Sequence, residues 1–295
     1  MTDKPLFRRV AILGFGLIGS SLARALRVKG LAGEIIAGDR DPAALETIRD
    51  LGLADHATAD LAEAVRDADL VVIAVPVAAY TEVGTIIAPA LARDAIVTDV
   101  GSVKSAVIAS LRKVLPPRTR LVPGHPIAGT EKSGPAAGFA ELFEGRWCIL
   151  TPEDDTDSAA VGAVAALWRA IGSDVAEMDA GHHDRVLAIT SHLPHLIAYT
   201  IVGTAVDLED SLQAEVIKYS ASGFRDFTRI AASDPTMWRD IFLNNREAVL
   251  DMLQRLNEDI AVLQRAIRRQ DGEMLHTWFS RARRIRRGVI DAKQA

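Results

Sequence analysis

The chain has 295 residues, with 34 basic and 39 acidic side chains, a formal net charge of -5 and a sequence pI of about 5.8. Hydrophobic residues make up 49% of the sequence, which is typical of a globular protein and excludes a mainly disordered chain. This length predicts about two domains. The acidic balance argues against nucleic-acid binding, because phosphate neutralisation needs a basic surface.

Several features of the sequence bear on its compartment. No apolar run approaches the length of a membrane span, and Met1 to Pro5 lack the apolar core of a secretory signal. The single cysteine, Cys148, excludes an intramolecular disulfide and lies in an apolar run that favours a buried, unreactive thiol. We therefore expect a cytoplasmic protein with no membrane partner. The arginines between Arg281 and Arg287 predict a solvated helix face.

The first 178 residues alternate short apolar runs with amphipathic segments. Apolar runs without polar alternation indicate strands that are buried on both faces of a parallel sheet. The alternation predicts an α/β domain with a Rossmann-type doubly wound sheet over residues 1–178. The predicted strands are residues 10–13, 34–37, 70–75, 95–98, 120–122, 147–150 and 174–178.

Residues 179–295 contain no convincing strand and predict an all-helical, all-α C-terminal domain. Pro194 interrupts an otherwise helical run and predicts a kink. The segment Leu243 to Ile267 predicts a long amphipathic helix, which needs a partner surface in the domain or on a second subunit. Breaks between helices are predicted near Gly203, Gly223, Pro235 and Gly272.

A glycine-rich motif follows the first predicted strand. Gly14, Gly16 and Gly19 form a G-x-G-x-x-G at the start of a helix, where free N–H groups and the helix dipole favour a pyrophosphate. Asp39 lies 20 residues after Gly19 and can accept from the ribose hydroxyls, which favours NAD over NADP. The adjacent Arg40 weakens that preference, because an arginine can accommodate a 2′-phosphate. The cofactor-binding candidates are Gly14, Phe15, Gly16, Leu17, Ile18, Gly19, Asp39, Arg40, Val75, Pro76 and Ser102.

Two polar segments follow later strands of the first domain. Ser102, in the segment Asp99 to Lys104, is either a helix N-cap or a hydroxyl directed at nicotinamide and substrate, and the two roles can coexist. His125, in the segment Gly124 to Gly134, lies at the carboxyl end of a strand. It suits a catalytic base because histidine titrates near neutral pH, although a lone histidine is more often structural.

The helical domain contributes a third set of polar residues. Asp184, Ser191 and His195 are spaced by seven and four residues, so they are predicted to share one helix face. Three arginines further on either bind a substrate carboxylate or pair locally with Asp226 or Asp240. These arginines are Arg225, Arg229 and Arg239. The histidines between residues 182 and 195 lack a metal-binding motif, so no metal is expected.

Five stretches of the chain resemble the prephenate/arogenate dehydrogenase family, whose members are also called cyclohexadienyl dehydrogenases. The resemblance covers both domains and is to the short form, without a fused mutase or regulatory domain. The stretches are Gly14 to Gly19, DVGSVK at 99–104, HPIAGTEKSG at 125–134, SHLPH at 191–195 and GFRDFTRIAASDPTMWRD at 223–240.

The resemblance implies a role for each motif residue. His125 would accept the proton of the ring 4-hydroxyl, and Ser102 would orient that hydroxyl, the histidine and the nicotinamide. Arg229 would bind the ring carboxylate, and Trp238 would pack near the side-chain end of the substrate. The substrate-binding candidates are Ser191, His195, Arg229, Trp238 and Thr130. The candidates for a polar gate at the pocket mouth are Glu131, Asp184, Arg225 and Asp226.

The implied activity is the NAD-dependent oxidative decarboxylation of prephenate, arogenate or both in tyrosine biosynthesis. The implied partners are this small-molecule substrate and a second copy of the chain, bound through the helical domain. Two alternatives remain at this point. A β-hydroxyacid or pyrroline-carboxylate type reductase would need a catalytic lysine, for which Lys218 is available, or a proline-ring pocket. A non-catalytic, NAD-sensing dimer would need no base.

Overall fold

The computed structural model of the chain describes residues 4–206, 215, 218–219 and 221–291. One compact unit extends to Asn245, and a second begins at Arg246. In the described part of the chain, the first unit holds two β-sheets with their helices, and the second is a pair of helices.

The larger sheet has six parallel strands in the order β3-β2-β1-β4-β5-β6. Its strands are β1 (Phe7–Leu13), β2 (Ala32–Gly38), β3 (His56–Thr58), β4 (Leu70–Ile73), β5 (Ile96–Asp99) and β6 (Arg120–Val122). The strand order reverses between β1 and β4, and ligands of such sheets bind at the carboxyl ends of the strands near this point. The predicted doubly wound α/β fold is confirmed.

Neighbouring residues of β1 point into different layers of the core. Val10 and Ile12 belong to one buried cluster, and Ala11 and Leu13 belong to another on the opposite face of the sheet. Both layers are filled by the surrounding helices, which explains why the strand is apolar without alternation. These helices are α1 (Leu17–Lys29), α2 (Pro42–Asp50), α3 (Leu61–Ala64), α4 (Tyr80–Ile87), α5 (Lys104–Arg112) and α6 (Ser158–Ala170).

A second sheet of three strands follows the first. It consists of β7 (Gly124–Pro126), β8 (Trp147–Leu150) and β9 (Asp174–Glu177), with β7 antiparallel to β8 and β8 parallel to β9. The last two predicted strands therefore belong to this sheet and not to the doubly wound one. Strands β3 and β7 were not predicted from the sequence, because each has only three residues and shows no periodicity.

The helical part of the first unit begins with α7 (Ala180–Leu187), which continues through a π-helical turn (Ala188–His192) into α8 (Leu193–Val206). The π turn ends two residues before Pro194, whose ring and missing N–H disfavour a regular α-helix one turn earlier. The interruption that we predicted at this proline is therefore a π turn within a continuous helical run. α8 runs through Gly203 to Val206, the last residue described before a gap, so the helix is unbroken at this glycine itself; a glycine costs a helix only about 1 kcal/mol.

The helical run Ala180–Ala205 has 26 residues and contains an 18-residue window with a mean hydropathy of 1.4, which by length and composition is enough to cross a membrane. Such a segment was not predicted from the sequence, in which no uninterrupted apolar run approaches this length. The helices that follow in this unit are α9 (Ser222–Thr228), a 3-10 turn (Arg229–Ala232) and α10 (Pro235–Asn244). Asp234 caps α10 by accepting from the backbone N–H groups of Thr236 and Met237.

The second unit consists of α11 (Arg246–Arg268) and α12 (Gly272–Asp291). The predicted long amphipathic helix thus begins three residues later, after α10 ends at Asn244. Gln270, with φ of 54°, forms the turn between the two helices. Large apolar side chains are exposed along both helices. They include Leu250, Ile260, Ile267, Phe279 and Ile285.

Candidate active site

The glycine-rich loop connects β1 to α1 and leaves open space at one position. Gly14 has φ of 92°, and a Cβ there would lie 2.5 Å from the carbonyl oxygen of Ala74. A Cβ on Gly19 would overlap the carbonyl oxygen of Gly14, so this glycine allows the helix to pack on the strand. A Cβ on Gly16 would meet nothing within 4 Å. The open side of Gly16, at the N-terminus of α1, fits the pyrophosphate of a dinucleotide.

Asp39 directly follows β2 and is held in place by the loop. Its carboxylate accepts hydrogen bonds from the backbone N–H groups of Phe15 at 2.8 Å and Asp41 at 3.0 Å. Asp39 is half-buried, whereas Arg40 beside it is exposed. Val75 follows β4 and lies next to Gly14, since its Cγ1 is 3.0 Å from a Cβ built on that glycine. The structure therefore places the loop, Asp39 and Val75 at one edge of the sheet.

A buried ion pair lies at the carboxyl end of β5. Asp99 and Lys104 are fully buried, and the Lys104 ammonium donates to the Asp99 carboxylate and to the carbonyl oxygen of Gly124. Asp99 also accepts from the Tyr80 hydroxyl and from two backbone N–H groups. Burial lowers the pKa of Lys104, and the Asp99 carboxylate opposes that shift. Burial and the same carboxylate raise the pKa of Tyr80 well above its ordinary value.

Ser102 lies between this ion pair and α5 and is not the helix N-cap, because Val103 occupies the cap position. The capping oxygens come from a distant residue. Asp184, on α7, accepts from the backbone N–H of Lys104 at 2.8 Å and of Ser105 at 2.9 Å. The prediction of a cap at Ser102 is therefore wrong. Its half-buried side chain remains available for the other role that we expected.

His125 is connected to Asp184 through a second histidine. It lies in the middle of the short strand β7, and its Nδ1 is 2.9 Å from Nε2 of His183. Nδ1 of His183 is in turn 2.9 Å from Oδ1 of Asp184. His183 is fully buried and Asp184 is 5% exposed, whereas His125 is half-buried. Burial lowers the pKa of His125 well below its ordinary value, and the nearby His183, Lys104 and His192 act in the same direction.

Asp184 is an internal anchor, which corrects its predicted place in a gate at the pocket mouth. Burial would raise the pKa of Asp184, but hydrogen bonds from the His183 side chain and from the backbone of Lys104 and Ser105 outweigh it and lower the pKa. The carboxylate therefore stays ionised inside the protein. A π turn lies between Asp184 and His195, so the regular helical repeat behind the prediction of a shared face does not hold throughout this segment.

His195 is stacked on Trp238, with ring centroids 3.6 Å apart and planes 22° from parallel. Its Nδ1 donates to the carbonyl oxygen of Ser191 at 2.9 Å, and burial lowers its pKa. Trp238 also packs with Val103, next to Ser102, so the structure brings the helical residues to the segment that follows β5.

His192 lies beneath this stack, and Asn245 donates to its Nδ1 at 3.0 Å. Burial lowers the pKa of His192 to about 4. Since Nδ1 of His192 accepts, its proton is on Nε2. This Nε2 and the indole nitrogen of Trp238 are buried without a hydrogen-bond partner among the residues that the structure describes.

Arg229 pairs with Glu131, from Nη1 to Oε2 at 3.4 Å, and both side chains are substantially exposed. The alternative that Arg229 pairs with Asp226 is therefore wrong, whereas Arg239 does pair with Asp240 at 2.7 Å. Arg225 and Asp226 are exposed, and no ion pair joins them in the described ranges.

Two further candidates are occupied by local contacts. Thr130, beside Glu131, is exposed, and its hydroxyl oxygen accepts from the backbone N–H of Lys132. Lys218 is exposed, and its ammonium lies 5.2 Å from the centroid of the Tyr219 ring.

Several residues that shape the site were not predicted from the sequence. Tyr80 and Asn245 carry no recognisable motif. The adjacent pair His183-Asp184 could have been noticed, because a histidine next to a buried carboxylate is a frequent way of orienting a ring. The residues missed are Tyr80, Asp99, Lys104, His183, His192 and Asn245.

The fold and the site define a class. The glycine-rich β1–α1 turn and the carboxylate at the end of β2 are typical of a dinucleotide-binding domain. Together with the hydrogen-bonded pair of His125 and His183 near the same sheet edge, they indicate a nicotinamide-dinucleotide-dependent oxidoreductase. The family follows from comparison with known proteins. Prephenate dehydrogenase, nucleotide-binding domain, matches residues 22–177, and prephenate dehydrogenase, dimerization domain, matches residues 179–281. The chain belongs to the prephenate dehydrogenase family.

Individual relatives agree with the family match. The chain is 44% identical to the cyclohexadienyl dehydrogenase of Zymomonas mobilis over 281 residues, which cover 95% of this chain and 96% of the relative. The crystal structure of Aquifex aeolicus prephenate dehydrogenase with hydroxyphenyl propionate and NAD+ is similar with a TM-score of 0.89 and 36% identity, covering 96% and 98% of the two chains. Synechocystis arogenate dehydrogenase is similar with a TM-score of 0.80 and 26% identity, covering 95% and 99%.

Proposed function

We propose that this protein catalyses the NAD-dependent oxidative decarboxylation of prephenate, arogenate or both, in tyrosine biosynthesis. The products are 4-hydroxyphenylpyruvate from prephenate or tyrosine from arogenate, together with CO2 and NADH. The observation that carries the proposal is the hydrogen-bonded chain from His125 through His183 to Asp184, in a member of this family that has a dinucleotide loop. The two alternative functions have no comparable support in the site.

The residues around β1 and β2 fit NAD. The open space beside Gly16 accommodates the pyrophosphate at the N-terminus of α1, and the carboxylate of Asp39 is oriented to accept from the ribose hydroxyls. A 2′-phosphate would be repelled by Asp39, which makes NADP the less favourable cofactor. NAD held at this loop would supply the acceptor for the hydride of the ring carbon that bears the hydroxyl.

His125 takes the proton of the substrate's ring hydroxyl as that carbon becomes a carbonyl. Burial and the surrounding histidines and Lys104 hold the pKa of His125 well below its ordinary value, so the ring is neutral and ready to accept. A general base of this kind contributes about 10²–10⁴-fold to the rate. Ser102, with its half-buried hydroxyl, orients the substrate hydroxyl beside the histidine. Loss of the ring carboxylate as CO2 sends its bonding electrons to the new carbonyl oxygen and leaves a phenolate, which takes the proton back from His125. The aromaticity of the product drives the reaction forward.

The helical residues hold the two ends of the substrate. Arg229 binds the ring carboxylate, exchanging its exposed ion pair with Glu131 for a pair with the substrate. His195, stacked on Trp238, lines the pocket together with Ser191 and Thr130. Trp238 packs near the side-chain end of the substrate through its ring, whereas its indole N–H and Nε2 of His192 are buried away from solvent. Glu131, Arg225 and Asp226 form the polar rim, all exposed.

The first experiment is an initial-rate measurement of NADH formation with prephenate and with arogenate, each with NAD+ and with NADP+. We expect turnover with at least one substrate and higher efficiency with NAD+. His125→Asn should reduce kcat by about 10²–10⁴-fold with little change in substrate affinity. His182 is exposed and precedes His183 in the sequence, so His182→Asn is the control and should retain normal rates. No turnover with either substrate, from protein that still binds NAD, would contradict the proposed function.

We further propose a homodimer formed through the predicted helical domain, residues 179–295, with the dinucleotide domain at residues 1–178. The match to a dimerization domain supports this, as do the exposed apolar side chains of α11 and α12. The apolar run Ala180–Ala205 is then a core and interface helix, because Asp184 near its start is bonded to the backbone of α5. A cytoplasmic enzyme without a membrane or nucleic-acid partner remains our prediction.

A further inference from the structure

We propose that His183 is a positioning residue that fixes the tautomer of His125, so that Nε2 of His125 carries a free lone pair towards the substrate. The inference rests on the proposed function only in assigning His125 as the base. The tautomer itself is a property of the free enzyme and can be measured without any reaction.

The hydrogen-bond chain determines where each proton lies. The pKa of Asp184 is lowered, so its carboxylate is ionised and can only accept a hydrogen bond. Nδ1 of His183, at 2.9 Å from Oδ1 of Asp184, must therefore carry a proton. In a neutral ring the other nitrogen, Nε2, is then bare and accepts. The partner at 2.9 Å is Nδ1 of His125, which must be the donor.

This assignment leaves His125 with its proton on Nδ1 and an unprotonated Nε2. That Nε2 has no hydrogen-bond partner within the described ranges and is not sealed from solvent, unlike Nε2 of His192. When Nε2 takes the substrate proton, the ring becomes charged, and the Nδ1–H bond to His183 becomes a charge-assisted one. No proton has to move from His125 to His183 or Asp184; these two residues only hold the His125 ring in its orientation and tautomer.

Asp184 also fixes the position of His183. Its oxygens accept from the backbone N–H groups of Lys104 and Ser105, so the carboxylate cannot rotate without uncapping α5. Its backbone carbonyl accepts from Asn245 at 2.9 Å. The His125 and His183 rings meet edge to face, with centroids 5.1 Å apart and planes 65° from parallel. The carboxylate and the backbone carbonyl of Asp184 are therefore both held by elements that belong to the same compact unit.

The test compares two substitutions of nearly equal shape. In His183→Gln, the side-chain amide can donate to Asp184 and accept from His125, because its nitrogen and oxygen replace the two ring nitrogens. In His183→Met, a side chain of similar length offers neither bond. The tautomer of His125 is read from the ¹⁵N spectrum of histidine-labelled enzyme without substrate, with His125→Asn assigning its resonances among the seven histidines.

We expect the wild type and His183→Gln to show His125 protonated at Nδ1, with kcat lowered less than about 10-fold by the glutamine. His183→Met should move the proton to Nε2 and lower kcat by about 10²–10⁴-fold, with the substrate KM changed less than about threefold. Thermal unfolding establishes that each variant is folded, and His182→Met, on the exposed neighbour, serves as the control that should not change.

Several outcomes would overturn the proposal. One is a wild-type spectrum with His125 protonated at Nε2, which would mean that His183 is charged and donates from both nitrogens. Another is a folded methionine variant that keeps the proton on Nδ1 or keeps its kcat within about threefold. If the methionine variant does not fold, the glutamine variant alone decides: protonation of His125 at Nε2 contradicts the inference. A wild type without turnover but with the expected tautomer would refute the proposed function and leave this assignment intact.

Discussion

The buried pair of Asp99 and Lys104 gives a quantitative prediction about stability. Both side chains are fully buried, and the ammonium has two acceptors, the Asp99 carboxylate and the carbonyl oxygen of Gly124. Lys104→Met keeps the length of the side chain but leaves the carboxylate without its counter-charge. Removing one partner of a buried ion pair costs about 3–5 kcal/mol. Such a loss is a large part of the roughly 5–15 kcal/mol that stabilises a typical domain.

The matched control is Arg8→Met, which breaks the ion pair to Asp69 at 3.3 Å, where the arginine side chain is 66% exposed. An exposed pair contributes about 0–1 kcal/mol. The free energy of unfolding of the three proteins is measured by urea denaturation, followed by tryptophan fluorescence. We expect Lys104→Met to lose several times more than Arg8→Met. Equal losses below about 1 kcal/mol would refute the reasoning, because Asp99 would then not depend on the ammonium for its buried charge.

Three further predictions concern the site. Arg229→Ala should raise the substrate KM by roughly 10–150-fold, because a hydrogen bond to a charged group contributes about 1.5–3 kcal/mol, and should affect kcat less. Steady-state kinetics measures both constants, and an unchanged KM would show that the arginine does not bind substrate. In the pH profile of kcat/KM, the loss of activity on the acid side should occur below pH 6.5, because the lowered pKa of His125 keeps this base neutral down to a lower pH. A loss of activity that begins above pH 6.5 would contradict the lowered pKa. Burial lowers the pKa of His192 to about 4, so the unfolded state binds its proton first. Unfolding free energy should therefore fall as the pH drops from about 6.5 to 4, and His192→Asn should reduce this slope, as measured by urea denaturation at each pH.

The doubly wound sheet and the dinucleotide loop were predictable from sequence because both depend on local patterns. Apolar runs such as Val10 to Leu13 indicate strands with two covered faces, and both layers exist. Each glycine of the loop occupies a position where a side chain would clash or fill the open space, and these positions appear in the sequence as the G-x-G-x-x-G spacing. By contrast, β7 has three residues and is defined only by its pairing with β8, from His125 to Ile149. Pairing between distant segments leaves no periodic trace in a strand this short.

The site was predictable as a set of motifs but not as a set of contacts. His125, His195, Arg229 and Trp238 were named from the sequence, and the structure shows what each of them touches. The role of Asp184 was misjudged, because nothing local indicates that its carboxylate reaches the N-terminus of α5, 80 residues earlier in the chain. An N-cap was one of the two roles that the sequence left open for Ser102, because local rules assume that a cap comes from the adjacent residue.

The position of Asp184 connects the fold to the chemistry. The Asp184 carboxylate caps α5, close in sequence to Ser102, which we expect to orient the substrate hydroxyl. The same carboxylate is hydrogen-bonded to His183, which in turn is hydrogen-bonded to His125. The Lys104 ammonium makes a second connection, since the same residue donates its backbone N–H to Asp184 and its side chain to the carbonyl before His125. Asp184 and Lys104 thus position both Ser102 and His125, and removing either one leaves a buried charge unpaired. Substitutions at Lys104 or Asp184 should therefore affect stability and turnover together, whereas those at His183 can separate the two.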